Sequence, residues 1–208
     1  MATNNNNHHS ITRQHILQAA LGCFAHSGYS AASVQQIVAK ARVSKPSLYY
    51  YFQDKAGLFQ ALVDEAHDER YALMLKAAAR KSDLRGQLVE ILTALFEFLS
   101  QNRELMRISF ATAFAAPGEV PDSLRYTEKC ERNFEFIHSL IKKGLKSGAL
   151  DSRFDSRELA YGLYGHMNFY VTAHLLMKER PLDRKVAKRI VELFLVGAGN
   201  KQTVTGTN

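Results

Sequence analysis

Several absences narrow the field before any motif is read. No apolar run reaches the roughly 18 residues that a membrane-spanning helix needs. No signal-peptide pattern opens the chain: MATNNNNHHS is polar and holds no apolar segment, so the cytoplasm is the expected compartment. Cysteine is nearly missing. Cys23 and Cys130 fall in unlike helical segments and read as buried free thiols, which excludes a disulfide-built scaffold. No nucleophile elbow, phosphate loop, metalloprotease motif or four-ligand zinc spacing is present, so neither a metal nor another cofactor is expected. His166 and His174, two turns apart, are too few to hold a metal. No strand pattern and no internal repeat is visible. Acid is scarce where it matters most. The first 60 residues carry Arg13, Lys40, Arg42, Lys45 and Lys55 against Asp54 alone, a net charge of +4 in a chain whose total is +7. Positive potential concentrated on one segment suits a nucleic-acid partner.

What is there is helical periodicity throughout. At 208 residues and 46% hydrophobic content, the chain can bury a substantial core. Apolar spacing predicts an all-α fold of about nine helices. Ser10 caps a first helix with Ile16, Leu17, Ala20, Leu21 and Phe24 inward, and Gly28 closes it. A long helix follows Asp54 and bridges to a second set. That set includes Leu88 to Leu99, Asn102 to Ala115, a helix ending near Lys146, one from Asp155 to Met177 and one from Asp183 to Val196. The segment APGEVPD, 116–122, reads as a loop. The expected layout is a domain at 10–55 and a second at 56–198, with disordered tails at 1–9 and 199–208.

The chemistry is densest in residues 33–55, SVQQIVAKARVSKPSLYYYFQDK. Ser33 and Gln36 have the spacing of a capping box, and Val34, Ile37, Val38 and Ala41 mark a buried face. Ser44 caps the next helix, and Pro46 falls in its first turn, where a missing N–H costs nothing. Leu48 and Phe52, four apart, point inward together. Lys45, Ser47, Tyr49, Tyr50 and Tyr51 are left on the other faces. A basic residue, small hydroxyls and tyrosines on a short helix suit phosphate and base-edge contact. Two short helices around a tight turn make a helix-turn-helix, whose second helix enters the major groove.

The run V-S-K-P-S-L-Y-Y-Y-F-x-x-K-x-x-L-F, Val43 to Phe59, resembles the DNA-binding signature of the TetR family of bacterial repressors. With the upstream helix, 11–27, the resemblance covers about the first quarter of the chain. It implies an all-helical homodimer. An N-terminal three-helix domain would bind an operator on double-stranded DNA. A C-terminal domain would dimerise and take a small molecule that releases the operator. On this reading Lys45, Ser47 and Tyr49 face the groove. Ser33, Gln35, Tyr50 and Lys55 hold or approach phosphates, and Ser44 caps the helix at the same surface. Two positions depart from the family pattern. Arg42 stands in the turn where glycine is usual, and a left-handed backbone there costs roughly 1–2 kcal/mol with a side chain. Val38 stands where alanine is usual.

The second domain offers weaker signals. Phe110, Phe114, Tyr126, Phe134, His138, Tyr161, Tyr164 and Asn168 fall on helices expected to enclose a cavity, and suit a flat or lipophilic effector. Taken singly, each reads more readily as plain core. Gly162, Gly165 and the broad apolar stripe of the last helix make the eighth and ninth helices the expected dimer surface. Two rival functions stay open at this point: an architectural DNA-binding protein without ligand control, and a helical enzyme.

Overall fold

The computed structural model describes residues 3–124, 128–177 and 181–198. Among them are nine α-helices, one 3-10 turn and no strand. In chain order the helices are α1 (Thr3–Ala31), α2 (Val34–Ala41), α3 (Lys45–Phe52), α4 (Lys55–Ala78), α5 (Leu84–Gln101), α6 (Arg103–Ala113), α7 (Glu128–Lys146), α8 (Ser156–Leu176) and α9 (Arg184–Ala198); the 3-10 turn, Asp122–Leu124, precedes α7. Because α1 begins at Thr3, Ser10 lies within the helix and does not cap it. Gly28 leaves helical geometry at φ 77°, ψ 170°, so it bends α1 rather than closing it. No described helix is long and apolar enough to cross a membrane. The 199–208 tail lies outside the described residues.

Two compact units result: Met1–His67 with Asn102–Glu128, and Asp68–Gln101 with Lys129–Asn208. The sequence places the domain boundary between 55 and 56; the units divide within α4, between His67 and Asp68. The physical reason is Phe59, which packs edge-on against Phe24 at 5.0 Å and Tyr29 at 5.1 Å and so binds the start of α4 to α1. The first unit also takes in α6, which packs on α1.

In the first unit the core is Ile16, Leu17, Ala20 and Phe24 of α1, Ile37 and Val38 of α2, Leu48 and Phe52 of α3, and Leu58, Phe59 and Leu62 of α4. Each of these side chains other than Ala20 contributes about 1.5–3 kcal/mol on burial. In the second unit α5 is the hub: Leu88 to Leu99 are buried almost without interruption, and α9 packs on α5 and α8. Two buried polar residues on α5 are satisfied. Thr93 Oγ1 donates to the Val89 carbonyl at 2.7 Å. The Glu90 carboxylate takes the guanidinium groups of Arg80 and Arg184. Those contacts hold the Glu90 carboxyl below the usual carboxylate range, the Arg184 hydrogen bond contributing most. Cys23 and Cys130 form no disulfide and are half-buried, more open than the sequence suggests.

Candidate nucleic-acid interface

The two short helices are defined at both ends by side chains. Ser33 Oγ accepts from the Gln36 amide at 3.2 Å, and Gln36 Oε1 accepts from the Ser33 amide at 3.0 Å, a complete capping box on α2. At its far end Arg42 sits in the left-handed region, φ 56°, ψ 44°. The Arg42 amide donates to the Ala39 carbonyl and the Val43 amide to the Val38 carbonyl at 3.0 Å, so the helix end is hydrogen-bonded in spite of the side chain. Ser44 Oγ then accepts from the Ser47 amide at 3.2 Å and starts α3, with Pro46 in its first turn. A second left-handed residue, Gln53 at φ 56°, ends α3. Asp54 caps α4, accepting from the Gly57 amide at 2.7 Å. A Cβ on Gly57 would stand 2.5 Å from the Phe52 carbonyl oxygen, so the approach of α4 to the end of α3 requires glycine here.

Leu48 and Phe52 anchor α3 in the core at 0% and 5% exposure, while Tyr50 is 72% and Tyr49 46% exposed. Lys45 is exposed beside them, and Ser47 is half-buried. Tyr51 is half-buried and meets the Tyr50 ring edge-on at 5.1 Å. On the preceding helix Ser33 and Gln35 are exposed. Both α2 and α3 start at exposed residues, Ser33 and Ser44, so the positive end of each helix dipole lies near the surface. The exposed side chains of Arg42 and Lys45 add full charges.

Two basic residues are engaged elsewhere. Lys55 Nζ donates to the carbonyls of Tyr29 at 3.0 Å, Ser30 at 3.2 Å and Ala32 at 3.2 Å, and lies 4.5 Å from the Tyr29 ring centroid. An ammonium has three donors, and all three are used. Lys55 thus clamps the last turn of α1 to the first turn of α4, and no phosphate contact is assigned to it. Spacing alone could not show this, because the acceptors lie more than twenty residues away. Arg13 pairs with Glu65 and stacks 5.3 Å from the Phe52 ring centroid, tying α1 to α4 and to the end of α3. Gly22 leaves room for the Lys40 side chain against α1.

The residues expected at an effector site separate. Phe110 and Phe114 belong to the first unit; Phe110 is half-buried and Phe114 83% exposed. Tyr126 lies outside the described residues. The others are in the second unit, where Phe134 stacks on Tyr161 at 5.1 Å and approaches Tyr164 at 5.4 Å and His138 at 5.9 Å. His138 is held at both nitrogens: Nδ1 is 3.0 Å from Glu135 Oε2 and Nε2 2.8 Å from Ser156 Oγ. Tyr164 Oη donates to the Asn133 carbonyl at 3.1 Å. These aromatics form a packed cluster, and Asn168 faces solvent. A cavity of about 10 Å³ adjoins them, lined by Leu92, Leu95, Ile137, Leu163, Tyr164 and Met167. That is room for about one water molecule. Tyr164 alone of the expected residues reaches it; the aliphatic lining was hidden among ordinary core positions. No group of three or more His, Cys, Asp or Glu among the described residues could hold a metal.

A short, doubly capped helix with a buried apolar edge and an exposed face of lysine and tyrosine, set behind a second capped helix, defines a helix-turn-helix DNA-binding protein. Residues 16–62 match the family model of bacterial regulatory proteins of the tetR family. The match covers the helix-turn-helix region, so the chain resembles the TetR family of regulators there, and it spans about half the length of several of the curated relatives it matches. It is 28% identical over 176 residues to the transcriptional activator FasR of Mycolicibacterium smegmatis, covering 84% of this chain and 77% of that protein. It is 30% identical over 103 residues to the uncharacterized regulator YdgC of Bacillus subtilis, covering 48% of this chain and only 53% of YdgC. The crystal structure of Bacillus subtilis FadR in complex with stearoyl-CoA superimposes with a TM-score of 0.74 at 20% identity, over 88% of this chain and 98% of FadR. At that identity the likeness speaks for the fold.

Proposed function

We propose that the chain is a cytoplasmic, homodimeric repressor that leaves its operator when a lipophilic small molecule enters the second unit, and that it has no catalytic activity of its own. The observation that carries the DNA half is the exposed Lys45–Tyr49–Tyr50 face on a helix whose ends and buried edge are fixed. Lys45, Ser47 and Tyr49 face the major groove. Ser33, Gln35 and Tyr50 approach phosphates, with Ser44 holding the start of the helix and Arg42 adding a phosphate contact.

Two copies are needed because one recognition helix reads too few base pairs. Support for the dimer surface comes from large apolar side chains left in solvent on α8 and α9: Tyr161, Phe169, Leu176, Leu193 and Val196, all more than half exposed. Gly162 and Gly165 lie on the same helix with open space above them, which permits a close approach. An apolar strip of this kind on a regulator suits a second copy.

The effector reading rests on the wholly aliphatic lining beside Tyr164. The cavity admits about one water as it stands, so a ligand must part α5, α7 and α8 and thereby favours another conformation. FadR, a related fold, holds stearoyl-CoA, so a long-chain acyl-CoA is the first compound to try.

The test is fluorescence anisotropy with DNA from upstream of the chain's own gene and with scrambled DNA, at two salt concentrations. The proposal expects preference for the upstream DNA, a steep fall with salt, and release on adding stearoyl-CoA. Equal binding to both DNAs favours an architectural role. Preference without release by any lipophilic compound removes the ligand half.

A further inference from the structure

The first unit contains a cleft of about 290 Å³ that DNA recognition leaves unused. One wall is the last turn of α1, Ser27 to Ala31; the other is α6 with the loop that follows it, ending at Glu119 and Val120. The floor is aromatic. Phe24, Tyr29 and Phe59 meet ring against ring at 5.0–5.9 Å. Ile108 and Thr112, both nearly buried, complete it from α6.

Charge in the cleft is one-sided. Among the described residues lining it, Glu119 is the one with a charged side chain. Its Oε2 accepts from the Ala116 amide at 3.1 Å. That single bond leaves the carboxylate charge available to pair with a ligand cation. The Lys55 ammonium, outside this lining, lies 4.5 Å from the Tyr29 ring centroid and is held by three carbonyls. A ligand cation is attracted to Glu119, while its apolar body rests on the rings. The volume suits a compound on the order of ten to fifteen non-hydrogen atoms, at the small end of ordinary ligand sites.

We propose that this cleft is a second effector site, for a small aromatic ammonium compound, acting on the DNA-binding unit directly. The route is short. Tyr29 and Ser30 line the cleft, and their carbonyls hold Lys55, the first residue of α4 and the third after the recognition helix ends. A ligand that parts the last turn of α1 from α6 loosens this clamp and with it the turn that sets the angle of α3. The site is independent of the aliphatic cavity in the second unit and stands or falls separately from it.

The test uses the full chain and benzyltrimethylammonium, followed by amide chemical shifts in nuclear magnetic resonance. Neopentylbenzene, the neutral compound of the same shape, is the control. The expected result is shifts centred on Ser27–Ala31 and Ile108–Val120. Glu119→Gln should weaken binding about tenfold, and the neutral compound should bind about tenfold more weakly than the cation. Ala111→Trp, which fills the cleft, should abolish the shifts. DNA affinity should fall as the site fills. No binding, shifts confined to other regions, equal binding of the neutral compound, or no effect of Glu119→Gln would overturn the proposal. Saturation with unchanged DNA affinity would overturn the link through Lys55. If Ala111→Trp fails to fold, Glu119→Gln and the neutral compound still decide.

Discussion

Helices α3 and α8 both leave aromatic rings in water, and they do so for opposite reasons. On α3 the exposed rings are tyrosines, Tyr49 and Tyr50, beside the exposed Lys45. Each carries a hydroxyl, and a cation stands next to them. On α8 the exposed side chains are Tyr161, Phe169 and Leu176, with Gly162 and Gly165 between them. The lower part of that strip has neither a hydroxyl nor a positive charge. A polyanion rewards the first composition, through hydrogen bonds and counterion release. A second apolar surface rewards the other. Exposure alone therefore does not distinguish a nucleic-acid surface from a protein surface; the polar groups that accompany the rings do.

The comparison is broken most forcefully by exchanging the chemistry. Phe169→Asp with Val196→Asp puts two carboxylates into the apolar strip. Sedimentation should show the dimer dissociation constant rising at least about a hundredfold, since a charge buried without a partner costs several kcal/mol. α3 is untouched, so the monomer should keep the weak, non-specific DNA binding of a single half. A dimer that survives both charges would place the interface elsewhere.

Next in size is Lys55→Ala. The clamp reading expects a stability loss of about 1–3 kcal/mol in chemical denaturation, because three carbonyls lose their donor together. A residue that served only as a phosphate contact would leave stability within about 0.5 kcal/mol and lower the salt slope of DNA binding by about one. The two outcomes separate the roles.

Tyr50→Ala should weaken binding to every DNA by roughly 1 kcal/mol and leave folding unchanged, as its ring is mostly in water. Arg42→Gly has a smaller, two-sided effect. Relief of the left-handed strain should stabilise the fold by about 1 kcal/mol, while one fewer phosphate contact should flatten the salt dependence. A loss of stability would mean that the arginine side chain holds the turn.

Acid gives a fifth probe, confined to the second unit. The Glu90 carboxyl is held below its usual range by Arg184 and Arg80. A depressed carboxyl contributes stability above its unfolded value and loses it as pH falls through the folded one. Thermal midpoints should therefore drop on the acid side of the ordinary carboxylate range, and Glu90→Gln should flatten that drop.

The helical frame was legible because its signals are local. Ser33 with Gln36, Ser44 with Pro46, and Asp155 each lie within three residues of the backbone groups they satisfy. Leu48 and Phe52 sit one turn apart on one face. Arg42 stands out by its position in the turn, and its backbone is left-handed. The bonds of Lys55 are hidden for the opposite reason: its partners are the carbonyls of Tyr29, Ser30 and Ala32, and nothing in local spacing links them. The effector cavity was the least legible. Leu92, Leu95, Ile137, Leu163 and Met167 have the same periodicity whether they fill a core or line a space, and the aromatics that attracted notice pack on one another instead. The side to which the start of α4 belongs is hidden for a related reason: the rings of Phe59 on Phe24 and Tyr29, and Lys55 on the carbonyls of Tyr29 and Ser30, are contacts that local spacing does not show.

The most direct test of the central claim, that the outward face of α3 reads DNA sequence, is selection of preferred sites from a random duplex pool by the natural chain and by Tyr49→Ala. The account predicts that the variant still binds but loses or changes its preference at specific base pairs in each half-site, by about 1–3 kcal/mol. An identical preference, with affinity lowered equally for all sequences, would contradict it and reduce Tyr49 to a backbone contact.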